Sequence, residues 1–157
     1  MKIKVYCHYV DFPGCHEISH EHALLFFTTG LIYNSEINFY CNYDFSQYAY
    51  IKDLYRDFPN VRFINNGATP EEHELATLSA LKDDCDNTED EYYVLYLHHK
   101  GVCWSTAENY NNVRDWRRYM QYFNVEKWRD CVRKLDEGYD SVGVNWTFDR
   151  HKYPHWA

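Results

Sequence analysis

Apolar positions along the chain follow two rhythms that take turns, short strand-like runs and longer stretches at helical spacing. Residues 2–9 (KIKVYCHY) alternate and are rich in β-formers, which predicts an opening strand that runs into a loop at Asp11, Pro13 and Gly14. From Ser19, read as an N-cap, the spacing predicts a helix with Ala23, Leu24, Phe26, Phe27 and Leu31 on one side and Gly30 near its end. Residues 36–43 (EINFYCNY) predict a second strand and 48–58 a short helix stopped by Pro59. A third strand is predicted at 61–65 (VRFIN), turning at Asn66-Gly67.

Thr69 as N-cap, Pro70 at the first helical position and the acids behind it predict another helix, with Leu75, Leu78 and Leu81 inward. The acidic stretch 83–91 predicts a loop. Residues 92–97 form a continuous apolar-aromatic run, as expected of a central strand covered on both faces, and this strand delivers His98, His99, Lys100 and Gly101 together. Val113, Trp116, Met120, Phe123, Trp128, Val132 and Leu135 then predict a long helix, bent or broken near Asn124 and ended by Gly138. Residues 140–145 (DSVGVN) predict a fifth strand.

Strand and helix alternate throughout, which predicts an α/β fold: one Rossmann-like three-layer domain over residues 1–157 with a mostly parallel sheet. Such sheets take ligands beyond the carboxyl ends of their strands. The positions to weigh are therefore His8 and Asp11, Asn65, the tip from His98 to Gly101, and Asn145 onward.

Composition adds an excess of rings. Aromatics make up 19% of the chain, with 16 Tyr, 9 Phe and 5 Trp, more than a core needs and suited to a partly wet cleft or an interface. The net charge of −8 weighs against sequence-independent nucleic-acid binding. Residues 114–133 are nevertheless locally rich in Arg, which suits either a small anionic ligand such as a nucleotide diphosphate or a solvated helix face. No apolar run is long enough to span a membrane and no signal-peptide pattern opens the chain. The cysteines lack any CxxC pair, which predicts reduced thiols and a cytoplasmic location.

Of the candidate chemistry, the His-His-Lys-Gly tip comes first. Lys100 could neutralise a diphosphate as a point charge, and Gly101 would let the backbone approach a ligand closely. A histidine there could donate a hydrogen bond or act as a base. Neighbouring residues on a strand point opposite ways, so His98 and Lys100 share a side; the alternative is that one histidine fills a core gap and Lys100 is solvated. The letters H-E-x-x-H occur at His16-Glu17-Ile18-Ser19-His20, but the expected loop placement, ahead of the helix, argues against a zincin, and no metal ligand is assigned. Neither GxGxxG nor GxxxxGK[ST] nor GxSxG is present.

The carboxy-terminal part, residues 92–157, carries YVLYLHHKGV, then D-W-R at Asp115-Trp116-Arg117, W-R-x-C at 128–131, GYDSVGVN at 138–145 and P-H at Pro154-His155. In these motifs it resembles a family of small glycosyltransferase-like proteins, distantly similar to rhamnan-synthesis-type glycosyltransferases. The resemblance implies a GT-A-like fold, a nucleotide-diphosphate sugar as donor and a glycan or other hydroxyl acceptor. It implies His98, Lys100 and Asp115 as catalytic positions and Gly101, Arg117, Asn145 and His155 as substrate-binding ones; the strand-end positions His8, Asp11 and Asn65 are expected to bind substrate with them. Many GT-A enzymes hold Mn or Mg with a D-x-D, whereas this chain has HHK, so Lys100 is expected to replace the metal's charge and catalysis to be metal-independent. The family continues past P-H into a G-N-F-W-W-like stretch, so the chain is expected to be a truncated or reduced relative. The alternative expectation is a non-catalytic nucleotide- or carbohydrate-binding module on a degenerate transferase fold; a third is a histidine-based metal hydrolase.

Overall fold

The computed structural model describes residues 2–10, 14–41, 49–65, 74–99 and 107–144. In chain order they form β1 (Lys2–Tyr9), α1 (Cys15–Thr28), a 3-10 turn (Leu31–Tyr33), β2 (Ser35–Cys41), α2 (Ala49–Leu54), β3 (Val61–Asn65), α3 (Leu75–Asp86), β4 (Tyr92–His98), α4 (Ala107–Gln121), a π-helical turn (Tyr122–Glu126) and α5 (Trp128–Asp136). The four strands pair in parallel in the order β3-β2-β1-β4. The fold is thus α/β, a Rossmann-like three-layer domain, and the strand order reverses between β1 and β4.

Alternation along the strands divides the layers. Ile3, Val5, Cys7 and Tyr9 of β1 and Ile37, Phe39 and Cys41 of β2 pack on Ile18, Ala23 and Phe26 of α1, on Ile51 and Tyr55 around α2, and on Trp128 and Val132 of α5. The opposite face of the sheet meets α3, where Lys4 and Tyr6 reach Asp84, His8 reaches Thr77, and Tyr6 stacks on Tyr40 at 5.9 Å. One face is an apolar core and the other a layer of tyrosines and ion pairs.

Several expectations are corrected. Helix α1 begins at Cys15, not at Ser19: Gly14 takes the left-handed φ of 95° that glycine adopts at no steric cost, and Ile18 N–H already donates to its carbonyl. Ser19 is buried inside the helix, and Leu24 is exposed. In α3 the inward face is that of Thr77, fully buried, while Leu75 and Leu78 point outward at 66% and 39% exposure. Asp83 to Asp86 are the last turn of α3 and not a loop.

The run at 92–97 is a strand, but β4 lies at the edge of the described sheet and is half-buried, with Val94 exposed. Its tyrosines explain the misreading: their hydroxyls bond to Cys85, Asp136 and Glu74, so rings that count as apolar sit at a wet boundary. The sealed strands are β1 and β2; Lys4 disguises β1, its charge met by Asp84 at 2.8 Å. Residues 140–144 form no strand, their Asp, Ser and Gly being weak β-formers. The break expected near Asn124 is the π-helical turn, and Gly138, at φ 98°, follows the end of α5.

Candidate functional site

The reversal of strand order brings the carboxyl ends of β1 and β4 side by side, with His8 and His98 in register on neighbouring strands. Both turn toward α3. His8 Nδ1 lies 2.9 Å from the Thr77 hydroxyl, a buried contact. His98 Nδ1 lies 3.1 Å from Glu74 Oε2, and Tyr96 O–H donates to the same oxygen at 2.7 Å. Glu74 precedes α3, whose crossover from β3 to β4 must pass over β2 and β1; that route carries its carboxylate above the strand ends. The hydrogen bond from His98, joined by that from Tyr96 and only partly offset by burial, holds the Glu74 carboxyl down at about 2. Burial and the bond to Glu74 push the Tyr96 phenol up. The result is an ionised carboxylate gripping a partly exposed imidazole, with 26% of the His98 side chain open to solvent.

His99 goes the other way. It is buried among Tyr9, Ser19 and His22, with its ring edge-on to Tyr9 at 4.4 Å and its Nε2 3.3 Å from the Ser19 hydroxyl. Burial drives both buried histidines toward the neutral form: His22 falls to about 4, and His99, with His22 beside it, lies well below the ordinary range. Beneath them Arg117 of α4 donates to both oxygens of Glu21 of α1, at 2.8 and 3.2 Å, and Gln121 adds a longer bond. Burial of Glu21 works against ionisation, but the Arg117 guanidinium outweighs it and lowers that carboxyl.

The D-W-R residues stand in α4. Arg117, buried to 3% exposure, serves to tie α4 to α1 through Glu21. Asp115 is in the ninth position of α4, exposed, with Arg114 at 3.7 Å as its neighbour. It belongs to the α1 layer, whereas His8 and His98 face α3. Asn65 ends β3, two strands removed from β1 and at the far edge from β4. Asp11, Lys100, Gly101, Asn145 and His155 lie outside the described residues. Glu74, Tyr96 and Thr77 were missed by reading the sequence; their signal was the crossover route, visible only once the strand order is known.

The H-E-x-x-H letters do fall within a helix, contrary to the expected loop. His16 and His20 are exposed on α1 against Tyr50, and Glu17 accepts from Tyr110. Among the described residues no group of three or more His, Cys, Asp or Glu side chains is placed to hold a metal ion. A groove of about 820 Å³ runs along the α3 side of the sheet, lined by Lys2, Lys4 and Tyr92 near the amino ends of their strands and by Tyr40 and Ile64 near the carboxyl ends of β2 and β3. No helix among the described residues is long and apolar enough to cross a membrane.

Fold and site together define an all-parallel α/β domain with a carboxylate–histidine pair at its topological switch point. The chain belongs to the DUF8361 family, whose model, described as a domain of unknown function, matches residues 43–153. No curated protein and no solved structure was found to match the chain.

Proposed function

We propose that the chain is a glycosyltransferase domain, taking a nucleotide-diphosphate sugar at the β1–β4 switch point and passing the sugar to a hydroxyl of a glycan or other acceptor. One observation carries this reading: the order β3-β2-β1-β4 reverses where His8 and His98 stand in register at the strand ends. Nucleotides are taken at such reversals in open parallel sheets. The H-x-K-G letters that begin at His98 add to it, since Lys100 follows His98 and His99 directly in the chain and would supply positive charge for the leaving diphosphate. Arg117 is assigned no phosphate, because its guanidinium is engaged by Glu21.

Isothermal titration with a panel of UDP-, GDP- and dTDP-sugars, with and without Mn²⁺ or Mg²⁺, tests the reading. One donor is expected to bind, and Lys100→Ala is expected to weaken it about tenfold, equivalent to ~1.4 kcal/mol. Absence of binding by the wild type, or a Lys100→Ala variant that binds as the wild type does, overturns the proposal. The second reading, a non-catalytic binding module, is favoured by the placement of Asp115 and Arg117 in the α1 layer. It predicts donor binding without hydrolysis or transfer.

A further inference from the structure

We infer that Glu74 locks His98 as the Nδ1–H tautomer, leaving Nε2 as the free base that takes the acceptor proton. The argument starts from the inventory of donors. An ionised carboxylate only accepts, so the proton shared across the 3.1 Å contact belongs to His98 Nδ1. In a neutral imidazole the lone pair then sits on Nε2. No hydrogen-bond partner meets His98 Nε2 among the described residues, and the side chain is partly open to solvent. Tyr96 donates to the same Glu74 oxygen and steadies it, and its own ring lies edge-on to His98 at 6.1 Å. A base, a group that orients it and a second group that orients the first are thus stacked at the switch point.

This role rests on the transferase reading for its substrate. In the step, the acceptor hydroxyl oxygen forms a bond to the anomeric carbon of the donor while its proton passes to His98 Nε2. The bond from that carbon to the diphosphate oxygen breaks, and its electron pair leaves with the nucleoside diphosphate. His98 is left as an imidazolium whose Nδ1–H stays on the Glu74 carboxylate, and it returns the Nε2 proton to solvent. His98 is the catalytic residue and Glu74 a positioning residue.

The test has two arms. In ¹⁵N-histidine-labelled protein at neutral pH, the His98 resonances are expected to report Nδ1–H, and Glu74→Ala is expected to shift them toward Nε2–H. In transfer assays on the donor selected from the nucleotide-sugar panel, His98→Gln is expected to lower kcat about 100-fold or more, within the range for general-base catalysis. Glu74→Ala should lower kcat about tenfold with KM unchanged, and Glu74→Asp should recover part of the loss; that split separates positioning from simple loss of structure. A wild-type His98 found in the Nε2–H form overturns the inference while leaving donor binding, and the transferase reading, intact. If no nucleotide sugar binds, the transferase reading falls, and the tautomer arm still decides the dyad. Equal kcat for His98→Gln and wild type also overturns the inference.

Discussion

His98 and His99 are consecutive in the chain and belong to different chemical worlds. His98 faces the α3 layer, partly open, held by a carboxylate with Tyr96 beside it. His99 faces the α1 layer, buried against Tyr9 and His22 and driven toward neutrality. The strand's two-residue period sends them apart, and the helix that covers each face decides what each becomes. The α1 layer buries Glu21 paired with Arg117, and His99 against Ser19, beside an apolar core. The α3 layer leaves its tyrosines, lysine and carboxylates at a wet boundary. The same residue type therefore stands partly open against a carboxylate on one face and buried near neutrality on the other.

The largest effect that could break this contrast lies in the Glu21–Arg117 pair. Glu21→Ala would remove the carboxylate that meets a guanidinium whose side chain is 4% exposed. A loss of about 3–5 kcal/mol in urea unfolding is expected, as when one member of a buried ion pair is removed. The control is Lys2→Ala, which removes an ion pair to Glu36 that is exposed at the lysine end and should cost less than about 1 kcal/mol. Similar losses in the two variants would mean that the α1 layer is no drier than the sheet rim.

Acid should separate the two faces next. Burial holds His22 at about 4 against an ordinary 6.5, with Arg117 and His98 acting in the same direction and Glu21 against it. Between pH 6.5 and 4 the unfolded chain takes up this proton and the folded chain does not, so stability is full above pH 6.5 and falls on acidification. For His22 alone the loss across that window is about 3 kcal/mol. His99 is displaced in the same direction. The Glu74 carboxyl, held at about 2, adds a loss in the same sense at lower pH, between its ordinary 4.5 and 2. Unfolding free energies measured at successive pH values should therefore slope between pH 6.5 and 4, and His22→Phe should flatten that slope. An unchanged slope in the variant would place the acid sensitivity elsewhere.

How far the sequence foretold these layers can be judged residue by residue. The strand expected at 140–145 is not formed over 140–144. The first four strands, the helix–strand order and the bend near Asn124 were legible, because apolar periodicity reflects local burial directly. The rank of the strands was not. Lys4 and His8 made β1 look less buried than it is, since their partners Asp84 and Thr77 are distant in the chain. The rings of β4 made that strand look more buried, since letters do not tell a tyrosine in a core from one at a rim. The strand-end histidines could be named in advance. Glu74 could not, because its contact with His98 spans the α3 crossover and depends on β1 lying between β2 and β4.

A smaller effect should come from Thr77→Val, which removes the hydroxyl beside His8 Nδ1 in a fully buried position. About 1 kcal/mol of stability is expected to go, the net worth of one hydrogen bond, read from the urea midpoint. The variant tests whether the α3 layer is held by polar contacts at all. A neutral result would mean that α3 rests on the sheet by apolar packing, as α1 does.

The smallest effect probes the same helix from its outer side. Helical spacing alone puts Leu75 and Leu78 inward, and an inward leucine cut to alanine costs about 2–5 kcal/mol. In the structure Leu75 is 66% exposed, and the buried position of the helix is Thr77. Leu75→Ala should then change stability by no more than about 0.5 kcal/mol, alanine being at least as good a helix former as leucine. The two expectations differ severalfold in one denaturation curve. A loss above about 2 kcal/mol would rotate α3 toward its leucine face. That rotation would take Thr77 away from His8 and, with the same turn of helix, Glu74 away from His98.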